Sequence, residues 1–182
     1  MTITVGPGGH HGRMRLRDVE AGDVDAYVRM RCDPAMMAEL GGPQPREGIE
    51  AKVRSDVESV AAGDSWIKMI VPDGSAPEMV AGSVVLWSHG EDGETISEAG
   101  WMILPQFQGR GLAKLAVRTL LELAREDGRW GLVHAFPGVS NAASNGVCRS
   151  IGFTLAGERE VTFADRVLRT NHWIINPATD LA

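Results

Sequence analysis

The chain has 182 residues, 43% hydrophobic and 23% charged, with a formal net charge of −6. That composition fits a single ordinary globular domain with room for a core, and the acidic balance argues against nucleic acid as a partner. It also lacks the roughly 18–20 consecutive apolar residues that a bilayer-spanning helix needs, so no membrane partner is expected.

Residues 1–12, with Gly6-Pro7-Gly8-Gly9 and His10-His11, lack the basic and apolar regions of a secretory signal and read as a flexible tail. Cys32 and Cys148 lie far apart, as expected of free thiols in a reducing cytoplasm, and no Cys/His group has metal-ligand spacing, so no metal is expected.

Arg13 to Asp18 alternates apolar Met14 and Leu16 with arginines, a strand with one buried face. A helix follows from Asp23 to about Cys32, with a break at Gly41-Gly42-Pro43-Gln44-Pro45. A second helix runs from about Glu47 to Ala61, where Ile49, Val53, Val57 and Val60 recur nearly four apart. Trp66–Val71, Met79–Trp87 and Thr95–Leu104 read as a strand meander, with turns at Pro72-Asp73-Gly74-Ser75 and Glu91-Asp92-Gly93-Glu94. Leu112, Leu115, Ala116, Thr119, Leu120 and Leu123 then draw an apolar stripe along a long helix. Leu132–Phe136 is a strand. Asn141–Ile151 is a helix capped by Asn141 and stopped by Gly152, and strands Phe153–Glu160 and Val167–Ile175 close the chain. The last residues, 177–182, form a short C-terminal tail. No repeat or interdomain linker interrupts residues 13–176, so they are expected to form one α/β domain.

Charge is unevenly spread along this order. Residues 1–104 hold 9 Lys/Arg and 17 Asp/Glu, a balance of −8, whereas residues 105–182 hold 9 and 7, a balance of +2.

The most informative stretch is Gln108-Gly109-Arg110-Gly111-Leu112-Ala113, set between a strand and a helix. Glycines at such a turn let a ligand approach the backbone, and the unpaired N–H groups of a helix start attract phosphate. A P-loop requires four residues between its glycines and a Lys-Ser/Thr after them; a dinucleotide fingerprint requires a small residue where Lys114 stands. Neither fits. The run instead resembles the Gln/Arg-x-x-Gly-x-Gly/Ala signature of the GNAT acyltransferase superfamily. The β-α-α-β-β-β-α-β-α-β-β order resembles that fold over about Arg13 to Asn176. Asn141-x-x-Ser144, Ile151-Gly152-Phe153 and Glu98-x-Gly100-Trp101 are similar in style to the branch that acetylates ribosomal-protein N-termini.

The resemblance implies a mixed, mostly antiparallel, splayed sheet flanked by helices, and an N-acetyltransferase that uses acetyl-CoA in a ternary complex. It places the pyrophosphate on the amides of Gln108 to Ala113, the pantetheine arm on the backbone of Trp101, Met102 and Ile103, and Asn141 beside that arm. It makes Glu98 the candidate general base, acting through water, with burial against Trp101 or Trp87 needed to raise its pKa; otherwise Glu98 is a solvated strand carboxylate. Ser144 is the candidate to protonate the departing thiolate, or else a serine serving helix N–H groups. The tyrosine that many relatives use as acid has no counterpart after Phe136. His89 beside Gly90 reads as a hairpin loop residue and His172 as a strand residue facing either side. The acceptor is expected to be a cationic amine on a small molecule or peptide, covered by residues 33–64. Two other functions remain open: an acyl-CoA sensor without turnover and an aminoglycoside-type acetyltransferase. A homodimer is open as well.

Overall fold

The computed structural model describes residues 3–4, 14–72, 74–91, 93–163 and 165–181. Alternating apolar residues build eight strands: β1 Ile3–Thr4, β2 Met14–Asp18, β3 Ser65–Pro72, β4 Gly82–Glu91, β5 Glu94–Ile103, β6 Val133–Ala135, β7 Thr154–Phe163 and β8 Arg166–Ile175. They form one sheet in the order β1-β2-β3-β4-β5-β6-β8-β7. All neighbours run antiparallel except β5 and β6. The four helices are α1 Val24–Arg31, α2 Ile49–Ala62, α3 Leu112–Asp127 and α4 Ala142–Ile151. This is the splayed α/β architecture expected from the sequence. Ile3–Thr4 adds a short edge strand opposite Leu16 and Arg15; the rest of the expected 1–12 tail, His10 and His11 included, lies outside the described residues.

Side-chain alternation divides the sheet into two faces. Leu16, Ile70, Val84, Leu86, Ala99, Val133, Ala135, Trp173 and Ile175 point to one face and pack under α3 and α4. Ile67, Met69, Val85 and Met102 point to the other and pack under Tyr27, Met30, Ile49 and Val53 of α1 and α2. The buried side of α3 is wider than the sequence stripe: Val117, Leu121 and Ala124 are buried, and Leu115 and Leu123 only partly so. The reason is that α3 meets the sheet on one flank and α4 on the other.

The second meander strand differs from its expected bounds, running Gly82–Glu91 instead of Met79–Trp87. Glu91 pairs with Glu94, so the hairpin has a two-residue turn, and Gly93 in it takes φ 83. That tight turn is why His89 is a strand residue and not the loop residue the sequence suggested. At the start of β4, a Cβ on Gly82 would lie 2.0 Å from the Met102 carbonyl oxygen. Only glycine lets β4 lie this close to β5.

Polar side chains tie the α1–α2 layer down. The Tyr27 hydroxyl donates to Asp56 Oδ2 at 2.7 Å, both groups buried, and Lys52 pairs with the other carboxylate oxygen. Burial first, and the neighbouring carboxylate second, push the Tyr27 phenol well above its ordinary pKa. Arg17 holds Asp23 through two bonds of 2.8 and 2.6 Å, fixing β2 to the start of α1. A bond to a charged acceptor is worth about 1.5–3 kcal/mol. Tyr27→Phe is therefore expected to lower Tm by roughly 4–10 °C, at about 2–4 °C per kcal/mol for a chain of this size. Differential scanning calorimetry checks it, and an unchanged Tm would show that the clamp is not stabilising.

Candidate active site

Strands β5 and β6 pair only through Ser97↔Val133 and Glu98↔His134. Beyond that point β5 stays on β4 as far as Ile103, while β6 continues beside β8. Alternate backbone groups of Ala99–Ile103 therefore face an opening with no strand partner. A cavity of about 970 Å³ occupies it, lined by Glu98–Ile103, by Gln108, Gly109 and Gly111–Lys114, and by Phe136, Asn141 and Ser144.

The sequence-predicted loop lies along one wall. Gly109 and Gly111 take φ 72 and 73, and a Cβ on either would meet nothing within 4 Å. Conformation, not crowding, is what selects glycine here. Gly111 caps α3 with no side chain bonded to the first-turn amides, so those N–H groups open into the cavity at the positive end of the helix. Gln108 Nε2 donates to the Ile103 carbonyl at 2.9 Å and fastens the loop to the end of β5. Lys114, exposed on the first turn, adds a cation beside the amides; the sequence reading had not singled it out. Arg110 does not line the cavity. Its guanidinium lies 5.5 Å over the Phe107 ring.

The opposite wall begins at α4. Asn141 Oδ1 accepts from the Ser144 N–H at 3.0 Å, so Asn141 is a true N-cap and also a lining residue. The Ser144 hydroxyl lines the cavity and has no hydrogen-bond partner among the described residues. One turn on is Asn145, 2% exposed, which the sequence reading missed. Its Nδ2 donates to the Gly138 and Asn141 carbonyls at 2.9 and 2.8 Å. Its Oδ1 accepts from Asn171 Nδ2 and Trp173 Nε1, both at 2.8 Å. The signal was present: a poor helix former on the buried stripe with Cys148 and Ile151. Cys148 itself is sealed in the core, its thiol pushed up to about 12 by burial.

Glu98 stands on the face opposite α3, with Trp87 directly across from it on β4. Of the two tryptophans considered for burying it, Trp87 is the neighbour; Trp101 packs on the other face, against the α3–α4 core. His89 Nε2 and Glu98 Oε2 are 2.6 Å apart, with 33% and 20% of the side chains exposed. His172 faces the same side and bonds His134. Above this face, residues 33–45 fold over the opening. Asp33 Oδ1 accepts from the N–H groups of Ala35 and Met36, Met36 and Leu40 line the cavity, and Glu39 accepts from the Ser140 hydroxyl at 2.7 Å. The acidic hairpin is only partly visible, since Asp92 lies outside the described residues.

The cavity fits the chemistry of acetyl-CoA. Open helix-start amides with Lys114 suit a pyrophosphate, unpaired strand backbone suits an amide-bearing arm, and the volume suits a ligand of that size.

Comparison with known proteins agrees. No curated protein matches the chain by sequence. Solved structures match it over nearly its whole length. The ribosomal-protein α-N-acetyltransferase RimL in complex with coenzyme A superposes with a TM-score of 0.76 at 19% identity, covering 96% of this chain and 98% of that one. RimJ of Mycobacterium smegmatis gives 0.75 at 18%, covering 96% and 87%. A chimera of the spermidine N-acetyltransferase SpeG from Vibrio cholerae and hSSAT gives 0.71 at 17%, covering 91% and 96%. At these identities the likeness is one of fold. A family profile described as "Acetyltransferase (GNAT) domain" matches residues 13–154, most of the chain. The chain thus belongs to the GNAT acetyltransferase family, whose members use acetyl-CoA.

Proposed function

We propose that the chain acetylates a cationic primary amine, on a small molecule or a peptide. The observation that carries this reading is that Glu39, Glu98 and Glu160 all line one cavity, on walls contributed by the 33–45 loop, β5 and β7. Among the described residues, the one Lys or Arg on the acceptor side of that lining is Arg31, and Lys114 lies by the loop amides. The cavity is thus acidic where an amine would enter and basic where phosphates would lie, in keeping with the −8 and +2 halves of the sequence.

Acetyl-CoA supplies the activated acetyl thioester. The amides of Gln108, Gly109, Gly111, Leu112 and Ala113 and the Lys114 ammonium would hold its phosphates; Arg110 contributes its backbone turn but not its guanidinium. The strand backbone of Trp101–Ile103 and the side chain of Asn141 would align the arm. Glu98 takes a proton from the amine, and the Ser144 hydroxyl, free of other bonds among the described residues, faces the site to serve the departing thiolate. Phe136, Met36 and Leu40 give the cavity apolar walls that limit water near the thioester.

Release of free thiol from acetyl-CoA across a panel of polyamines, aminoglycosides, basic peptides and neutral amines tests the reaction. Thiol release with the cationic members is expected. No release with any amine overturns the reading, and equal rates with neutral amines overturn the acceptor class.

Two variants probe its halves. Gly111→Val strains a left-handed position at a cost of order 1–3 kcal/mol, and Gly128→Val, φ 78 at the other end of α3, carries the same strain away from the cavity. Both should lower Tm, but only Gly111→Val should lose the thermal shift given by acetyl-CoA. If both keep it, the loop does not bind the cosubstrate. On the acceptor side, Glu39→Gln with Glu160→Gln should lower kcat/KM for a cationic amine and flatten its dependence on salt, because the attraction is screened over about 8 Å at physiological ionic strength. An unchanged salt slope shows that these carboxylates do not attract the acceptor.

A further inference from the structure

The sheet register sets a row of proton-binding side chains across one sheet face, of which His89 and Glu98 line the cavity. On β4 and β5, His89 lies opposite Ile96 and Trp87 opposite Glu98, so His89 and Glu98 are diagonal neighbours on one face. Their 2.6 Å contact joins imidazole Nε2 to carboxylate Oε2. The Trp87 ring stacks on the imidazole, centroids 5.9 Å apart and planes at 23°, and screens the pair from one side. Across β5 and β6 the register sets His134 opposite Glu98. His134 Nδ1 lies 2.8 Å from His172 Nε2, with ring planes at 15° and centroids 5.1 Å apart. Those distances describe two rings edge to edge in one plane, as an N–H···N bond requires, and Phe136 lies over His172 at 4.8 Å. Among the described residues no three His, Cys, Asp or Glu side chains converge closely enough to hold a metal ion.

We propose that His89 and Glu98 work as one proton-holding dyad in the acetyl transfer, an inference that rests on the acyl-transfer reading of this cavity. An ammonium acceptor must lose one proton before its nitrogen lone pair is available. That proton passes through Glu98 and water to Nδ1 of the partly exposed His89, while Nε2–H goes on donating to the carboxylate, leaving an imidazolium paired with a carboxylate. The nitrogen–carbonyl carbon bond then forms and the carbon–sulfur bond breaks. A second proton from the same nitrogen ends on the thiol sulfur, and the dyad returns its own proton to water at the partly exposed imidazole. Ammonium and thioester give amide, thiol and one released proton. A lone carboxylate, ordinarily near pKa ~4.3, holds a proton poorly at neutrality, whereas an imidazole is matched to that range. Among the described residues, the other ionisable groups near the pair are His134 and His172 on the following strands and Arg31, Glu39, Glu160 and Lys114 around the cavity.

The test is the pH profile of thiol release with the best amine of the panel. In Glu98→Gln the rate should fall about 100-fold. In His89→Gln the amide can still hold Glu98 but cannot carry the proton. The acid limb of kcat/KM is therefore expected to move to lower pH, from the range of an imidazole toward that of a carboxylate. A limb that stays in place, with only the rate scaled, overturns the dyad. Imidazole ¹H–¹⁵N spectra of the native protein and of Glu98→Gln give a second measurement that needs no turnover and no His89 variant. The His89 Nε2–H resonance should shift when its carboxylate acceptor is removed, and an unmoved resonance also overturns the dyad. The two failures separate cleanly: an acid limb lost in Glu98→Gln but untouched in His89→Gln removes the dyad and leaves acetyl transfer standing, whereas thiol release from no amine removes the enzymatic reading itself.

Discussion

Two parallel strands that pair for only two residues and then part create the cavity around which the candidate site is built. The cause is local. β6 ends at Ala135, and Pro137 follows, which has no N–H to extend a ladder and fixes the chain on a new course. β5 cannot follow, because ten register pairs bind it to β4 and Gly82 lets the two backbones lie closer than any side chain would allow. The sheet is therefore open at its centre while its edges remain closed, and unpaired strand backbone faces a cavity where a buried sheet would ordinarily have none.

An opening of this kind is stable only if something other than strand pairing holds its far side. Asn145 does this. Its amide uses both donors and its acceptor oxygen inside the core, joining the loop after β6, the α4 cap and β8 through four bonds. Each such bond contributes only about 1 kcal/mol net, but each group left unsatisfied in the core would cost about 1–3 kcal/mol. The network thus specifies one position for α4, and with it the positions of Asn141 and Ser144 at the mouth of the cavity.

The two faces of the sheet divide the labour. Under α3 and α4 the face is largely apolar, its buried Ser97 hydroxyl bonded to the Trp130 carbonyl, and α3 delivers its N-terminal amides to one side of the opening. On the other face α1 and α2 pack over Ile67, Met69, Val85 and Met102, and beyond those residues the face carries Glu98, His89, His134 and His172. Ionisable groups can occupy those positions because they pair with one another and retain some contact with water. The 33–45 loop, held to the β6–α4 connection through Glu39 and Ser140, roofs this polar strip without burying it.

Much of this was legible in the chain. Hydrophobic period, glycines, prolines and the Asn141 cap fix which segments are helix or strand, because those choices depend on neighbours within a few residues. Gly109 and Gly111 announced a backbone that only glycine adopts readily, and the motif order pointed to the fold. The bounds of β4 and the full buried arc of α3 were less legible, since a hairpin register and a second packing partner decide them. The site divides in the same way. The loop from Gln108 to Ala113 is one continuous segment, and its sequence determined it. The His89–Glu98 contact, the His134–His172 pair and the Asn145 hub join residues 9, 38 and 28 positions apart, the last measured to Trp173. Which of them touch follows from strand order and register, properties of the assembled sheet that no local stretch of sequence contains.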